Sequence, residues 1–579
     1  MSSSSKVIVV GAGHNGLVAA AYLAKAGLEV TVVEARDVVG GAAVTEEIIP
    51  GYRMSVASFV VGLLRPEVIE DLQLSRHGLE LYASNQAISC TIFDDGSNFL
   101  MWKDLDRTLK EIRAKYGKND LEGFMQFGMD MQRLGEIIGP TIMSQPPSLS
   151  SFVKSFEDAS QQALFERFIT GSVRDLVERY FTSRQLQSHF VFPGLVSMYG
   201  GPATPGTAYL LAHHCVGEFM GQFGMWGYAR GGMGSITRAL ADSATAAGAT
   251  VRTNAAVRRI VTRRGEATGV ELEGGEIVAA DLVISNADPH RTFFGLVGEE
   301  NLPPVLSKSI QDYDMRGTMA RVYLAVDRLP EFIGFGSSQP GPEHEGHLFL
   351  GPSMDLFEDG WDAQRRGRIP EQFALEALID TVRDNSFAPS GHHVITLGVQ
   401  QLPFALLGSD WDSEKERFTK RVVETFLHYA PNLRGHILAA ECRTPLDWER
   451  TYRLTGGNIY QGAMSLSRLM GGRPGELRKG YAAPIGGLYL CGAGTHPGGG
   501  VMGASGFNAA MAVLTDLGMD TPRPWLPRQD DVRQPQQRRS LAAMAFDNEY
   551  LRPLMASLAT TPLARPIGKL LTRGRTKRT

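Results

Sequence analysis

The chain has 579 residues, 43% hydrophobic and 21% charged, with a formal net charge of −4. That length exceeds one ordinary core, so two or more domains are expected, and the near-neutral balance gives no global pull toward nucleic acid. The four cysteines, Cys90, Cys215, Cys442 and Cys491, stand far apart, which excludes a CxxC redox pair and zinc-ligand spacing together, and no metal site is expected. Only a short Ser-rich lead precedes Lys6, and no run of about 18 apolar residues stands out, so neither a secretory signal nor a membrane-spanning helix is expected. A cytoplasmic protein is the expectation.

Lys6–Val10 reads as a buried strand running into Gly11-Ala12-Gly13-His14-Asn15-Gly16, followed by a helix-like run over 17–26 and a second strand, Glu29–Val33, ending on Glu34. The first glycine permits the tight turn, the second lets backbone approach a pyrophosphate, and the third lets helix pack close to strand. Free N–H groups and the positive dipole end of the helix then face the phosphates. Glu34 lies about 20 residues on, where a carboxylate accepts hydrogen bonds from both ribose hydroxyls and argues against a 2′-phosphate. Strand, loop, helix, strand and acid in register predict a dinucleotide site on a Rossmann-type unit.

Between 105 and 209 the apolar residues take helical spacing, over 105–116, 124–138, 164–181 and 207–219, broken by Gly and Pro. A helix over 235–247 leads into strand patterns at 256–261, 269–272, 276–278 and 282–285, with Glu273-Gly274-Gly275 as a turn. Further β-rich runs at 319–326, 347–350 and 393–400 suggest a second sheet outside the nucleotide domain. A buried strand over 488–491, a glycine loop and a helix over 502–517 follow. Residues 521–579 carry twelve basic and four acidic side chains, a net +8 against −12 for the rest. This extension reads as a solvated tail or as a contact to an anionic membrane surface or a protein partner, which would make the protein peripheral to a membrane.

Downstream of Glu34 the chain reads Ala35-Arg36-Asp37-Val38-Val39-Gly40-Gly41. The run over 7–41 resembles the FAD fingerprint of the flavin amine oxidase and phytoene desaturase superfamily, departing at Val38 and Ala42, where many members carry a basic residue. Two later segments resemble the same superfamily: 228–288, with Gly231-Gly232-Met233-Gly234 and Ala-Asp-Leu-Val-Ile-Ser-Asn-Ala-Asp-Pro, and 487–504, with Cys491-Gly492-Ala493-Gly494-Thr495-His496-Pro497-Gly498-Gly499-Gly500. The wording is nearest to its desaturase-like group. The resemblance implies FAD held by Gly11, Gly13, His14, Asn15, Gly16, Glu34 and Ala35 at the first turn, and by Arg36, Gly40 and Gly41 along pyrophosphate and flavin. It adds Val257 backbone at the adenine, and Gly492, Gly494, Gly500, Val501 and Met502 against the flavin. No second strand-GxGxxG-helix unit offers a nicotinamide nucleotide a site.

The implied fold class is α/β: a glutathione reductase-like, Rossmann-type FAD-binding domain over 1–75, 226–300 and 478–520, a mainly helical insert over 76–225, an interleaved α+β substrate domain over 301–477, and the basic extension over 521–579. His496, inside the loop expected at the flavin, is a candidate proton acceptor, with hydrogen bonding to the loop as its alternative. Asn458, Tyr460 and Trp226 are candidates for the substrate wall, with core packing as the alternative. His213 and His214 read as satisfied core histidines. The expected activity is dehydrogenation of a hydrophobic small molecule by hydride transfer to flavin N5, with dioxygen or a quinone as electron acceptor. Oxidation of an amine or alcohol, double-bond isomerisation, and a scaffold acting through the basic tail are the alternatives.

Overall fold

A computed structural model describes residues 5–525 apart from 338 and 476; residues 526–579 of the basic extension lie outside the described residues. Five parallel strands form the nucleotide-domain sheet in the order Thr250–Arg252, Glu29–Val33, Lys6–Val10, Leu282–Ser285 and Leu488–Leu490. Apart from the edge strand Thr250–Arg252, which is only half-buried, these strands are rich in Val, Ile and Leu, as parallel strands covered on both faces must be. Val7, Val9, Val30 and Val32 pack beneath the helices His14–Lys25, Met233–Ala246 and Ala504–Asp516. Ile8, Val10 and Val283 face the antiparallel meander Val257–Arg263, Glu266–Leu272 and Ile277–Ala279. The domain continues past 520, where the extension was expected to begin. Arg523 pairs with Asp71 at 2.7 Å, and the buried Trp525 donates from its indole to Asn508 Oδ1 at 3.0 Å.

The second sheet has seven strands, ordered Ile437–Arg443, Ala320–Val326, His393–Val399, Leu375–Leu378, His347–Leu350, Ala87–Ile92 and Asn98–Trp102. Neighbours are antiparallel except His347–Leu350 beside Ala87–Ile92. Two of these strands fall within 76–225, expected to be mainly helical, so the helical layer starts at Leu105. Short apolar runs such as Ala87–Ile92 show no period, and period alone does not separate them from helix. Val322, Leu324, Leu348 and Leu397 bury one face of the sheet against the helix Trp411–Tyr429. Period-2 alternation sends Arg321, Tyr323, His347, Phe349 and Glu376 to the other face. Helices beginning with Leu105–Ile142 cap that side around an aromatic core that includes Phe127, Phe168, Phe181 and Phe190.

Candidate active site

A cavity of ≈ 290 Å³ runs between the two sheets, from Glu34 and Val257 at one end to Trp226, His347 and Glu376 at the other. The first end is shaped by the glycine turn. A Cβ on Gly16 would stand 2.2 Å from the Gly11 carbonyl, so only glycine lets the helix start this close to the strand. Glu34 is buried and holds the turn from below: Ala12 N–H donates to its Oε2 at 2.8 Å and Arg36 N–H to its Oε1 at 3.0 Å. The helix His14–Lys25 begins at Gly13 with no side-chain cap, leaving first-turn donors for a bound anion.

Two side chains at this end have unmet capacity. Arg36 pairs with Glu46 and stacks 4.9 Å from the Tyr452 ring centroid, yet its Nη1 is buried without a partner. His14 hydrogen-bonds the backbone of Gly500, joining the first glycine loop to the last, and burial lowers its pKa to about 4, so the imidazole is neutral. Its Nε2 is likewise buried with no partner. Uncapped amides, a free guanidinium nitrogen and a neutral imidazole acceptor fit a dinucleotide with a diphosphate and sugar hydroxyls.

Of the residues expected at the cofactor, Gly11, Gly13, His14, Asn15, Glu34, Ala35, Arg36, Gly40, Gly41, Val257, Gly500 and Val501 line this cavity. Gly16, Gly492, Gly494 and Met502 stand behind its wall. Gly492 makes room for Gln461, whose Oε1 would lie 2.2 Å from an added Cβ, and Gly494 N–H donates to that oxygen at 3.1 Å. His496 does not reach the cavity. With Met502 it borders a separate space of ≈ 10 Å³, room for about one water. Its Nε2 lies 2.7 Å from the Thr141 carbonyl, and burial lowers its pKa to about 4. The geometry gives it the loop-holding alternative rather than contact with a substrate.

Arg473, 1% exposed, fixes the loops that carry the site. Its guanidinium donates to the carbonyls of Ala493, Ala463, Tyr460 and Gly462 at 2.6–3.1 Å. Asn458 is also spent on the loop, accepting from Tyr460 N–H at 2.9 Å and Gly462 N–H at 3.2 Å while donating to the Arg316 carbonyl at 3.0 Å, and it does not line the cavity. Tyr460 and Trp226 do line it. His213 is a core residue, its Nε2 2.8 Å from the Gly499 carbonyl, but His214 faces the cavity. Since Nδ1 of His214 lies 3.0 Å from the Pro193 carbonyl, an acceptor, Nδ1 carries the proton and Nε2 accepts the Tyr460 hydroxyl at 2.9 Å. Arg321, His347 and Glu376 complete this end and were not expected. The available signal was a charged or imidazole residue inside an otherwise apolar strand, as in Ala320–Val326 and His347–Leu350.

A two-layered Rossmann-type sheet, a diphosphate cradle and an aromatic-walled far end define an FAD-dependent oxidoreductase. The chain belongs to the flavin containing amine oxidoreductase family, whose profile matches residues 16–514. Among relatives, pyridine nucleotide-disulfide oxidoreductase domain-containing protein 2 of Rattus norvegicus is 36% identical over 542 residues, covering 88% of this chain and 93% of its own. Phytoene desaturase (lycopene-forming) of Pantoea ananas is 28% identical over 520 residues, covering 88% and 99%. The fold is shared with putrescine oxidase bound to putrescine, at a TM-score of 0.57 and 18% identity over 89% of this chain and 99% of that one. Among the described residues no helix is long and apolar enough to cross a membrane, and no cluster of three or more His, Cys, Asp or Glu could hold a metal.

Proposed function

We propose that this enzyme dehydrogenates a hydrophobic small molecule, converting a C–C bond to C=C. The observation that carries the reading is the continuity of one cavity from the cofactor cradle to a far end walled by Trp226, Phe59, Phe349 and Leu63. The desaturase activity named for the Pantoea ananas relative supports it. When bound, FAD would supply a hydride acceptor at flavin N5, while the proton on the adjacent carbon would leave to a protein base or to solvent. Gly13 backbone and Arg36 would hold the diphosphate and Glu34 the adenosine ribose, with the Gly500–Val501 backbone, which lines the same cavity, available to the flavin. The aromatic wall excludes water and orients an apolar skeleton. Dioxygen or a quinone would serve as the electron acceptor.

Anaerobic mixing of the FAD-loaded protein with candidate substrates tests the reading. Lasting bleaching of the flavin together with a product lacking one pair of hydrogens is expected. Turnover without net bleaching would replace dehydrogenation by isomerisation. For location we propose the cytoplasm, with the basic extension contacting an anionic surface or a protein. Vesicle co-sedimentation of the full chain against one ending at 525 tests the membrane contact.

A further inference from the structure

The far end of the cavity carries more polarity than an all-hydrocarbon substrate requires. Strand register places Arg321, Gly398, Glu376 and Phe349 in one row across four strands, all on the cavity face. Gly398 makes the row possible, because a Cβ there would lie 1.9 Å from Arg321 Nη1 and 2.4 Å from Glu376 Oε1. Arg321 Nη1 therefore reaches Glu376 Oε1 at 2.5 Å over the glycine, and Gln400 Nε2 donates to the same oxygen at 2.9 Å. His347, two residues before Phe349, brings its Nε2 to 3.3 Å from the other carboxylate oxygen. Its ring is boxed by Phe349, Phe59 and Trp226 at centroid distances of 4.6, 5.2 and 5.4 Å.

Two features separate this cluster from a structural ion pair. Replacing a buried pair by apolar residues is often neutral or stabilising, so the sheet has no need of one here. A purely structural cluster would also be satisfied. Instead both ring nitrogens of His347 and Nε of Arg321 are buried with no aligned hydrogen-bond partner, although His347 is only 5% and Arg321 4% exposed. Above them, the Tyr460 hydroxyl spends its hydrogen on His214 and keeps its lone pairs for a donor.

We propose that this end of the cavity is a subsite for an oxygen function on the substrate, a hydroxyl or a carbonyl. The oxygen accepts from the His347–Arg321 side, and a hydroxyl additionally donates to Tyr460. Glu376 is a positioning residue that neutralises Arg321 and sets its carboxylate 3.3 Å from His347 Nε2. The substrate class is thereby narrowed from a plain hydrocarbon to an oxygenated one. The subsite deepens the dehydrogenation reading, resting on it only for the statement that the ligand is the substrate.

The test uses the FAD-loaded full chain and three molecules of one skeleton: limonene, perillyl alcohol and perillaldehyde. Titrations are followed by the visible flavin spectrum. Alcohol and aldehyde are expected to bind at least about ten-fold more tightly than limonene, because a site built to hydrogen-bond penalises an analogue lacking the group. His347→Phe keeps the aromatic box and should bring all three within about three-fold, whereas Tyr460→Phe should weaken only the alcohol. In ¹⁵N-histidine protein, the His347 ring signal, identified by its loss in His347→Phe, should move with the oxygenated probes and not with limonene. Equal affinity of the three for the unmodified protein, a preference that survives His347→Phe, or a His347 signal indifferent to both oxygenated probes overturns the subsite. Flavin reduction reports separately on the dehydrogenation reading: bleaching by limonene with no preference for oxygen defeats the subsite alone, and oxygen-selective binding that never bleaches the flavin with any ligand defeats the reading alone.

Discussion

Arg473→Met should be among the most damaging single changes in this enzyme. The guanidinium makes five hydrogen bonds to four carbonyls, those of Ala493, Tyr460 and Gly462, which are buried, and that of Ala463, which is half-buried. A buried polar group left unsatisfied costs about 1–3 kcal/mol, so the three buried carbonyls set a gross loss of about 3–9 kcal/mol. Against that stands the desolvation of the buried cation, several kcal/mol, which the variant no longer bears. Burial accordingly holds the Arg473 pKa below the usual guanidinium range. The net expectation is a destabilisation of about 3–5 kcal/mol, a large part of the stability of an ordinary domain. Because Ala493 and Tyr460 both line the cavity, the loss should extend to FAD retention. The assay is urea unfolding of the FAD-loaded protein with unchanged slope, paired with fluorescence titration of the stripped protein with FAD. Arg473→Lys should fall between, having three donors for four carbonyls. A midpoint shift equivalent to less than about 1 kcal/mol, with FAD affinity unchanged, would refute the reasoning.

Glu34→Ala removes the acceptor of two backbone N–H groups in the glycine turn and should weaken FAD binding by about ten- to a hundred-fold, read by fluorescence titration; unchanged affinity would show the turn holds its shape without the acid. Asp380 is buried with Oδ2 unpartnered, and burial, only partly offset by Arg383, raises its pKa from 3.8 to about 6. The folded protein therefore binds that proton more tightly than the unfolded chain, and stability falls as pH rises from about 4 to 6, by about 2–3 kcal/mol. Asp380→Asn should be more stable than the unmodified protein above pH 6 and indistinguishable from it near pH 4, which denaturation at both pH values checks. His496→Asn should retain flavin bleaching within about three-fold while lowering the thermal midpoint, since the ring holds the Thr141 carbonyl and faces away from the cavity; a loss of about 10²-fold or more would restore it as a proton acceptor.

The nucleotide cradle was legible because its parts are consecutive. Strand, glycine turn, helix and acid occupy one stretch from Lys6 to Glu34, and their spacing alone brings Glu34 under Ala12. The glycines of the last loop were legible as a group but not by role: Gly500 faces the cavity, whereas Gly492 and Gly494 do not line it and instead seat Gln461, which does. His496 and Asn458 were misplaced for the same reason. Each lies in a loop that borders the site, but Asn458 turns its amide and His496 its Nε2 to main-chain partners, and which way a loop side chain turns depends on what packs beneath it.

By itself the sequence determined the first strand-turn-helix-strand unit and its fitness for a dinucleotide, since period and turn chemistry act over a few residues, and the resemblance of 7–41 and 487–504 to a known family singled out FAD. Only tertiary structure decided the far end of the cavity. Trp226, Arg321, His347, Glu376 and Tyr460 come from five separate segments, and their meeting depends on long-range strand register and on the absence of a Cβ at Gly398. A one-residue slip in any of those strands would turn its polar side chain away from the cavity, and no local pattern records that register.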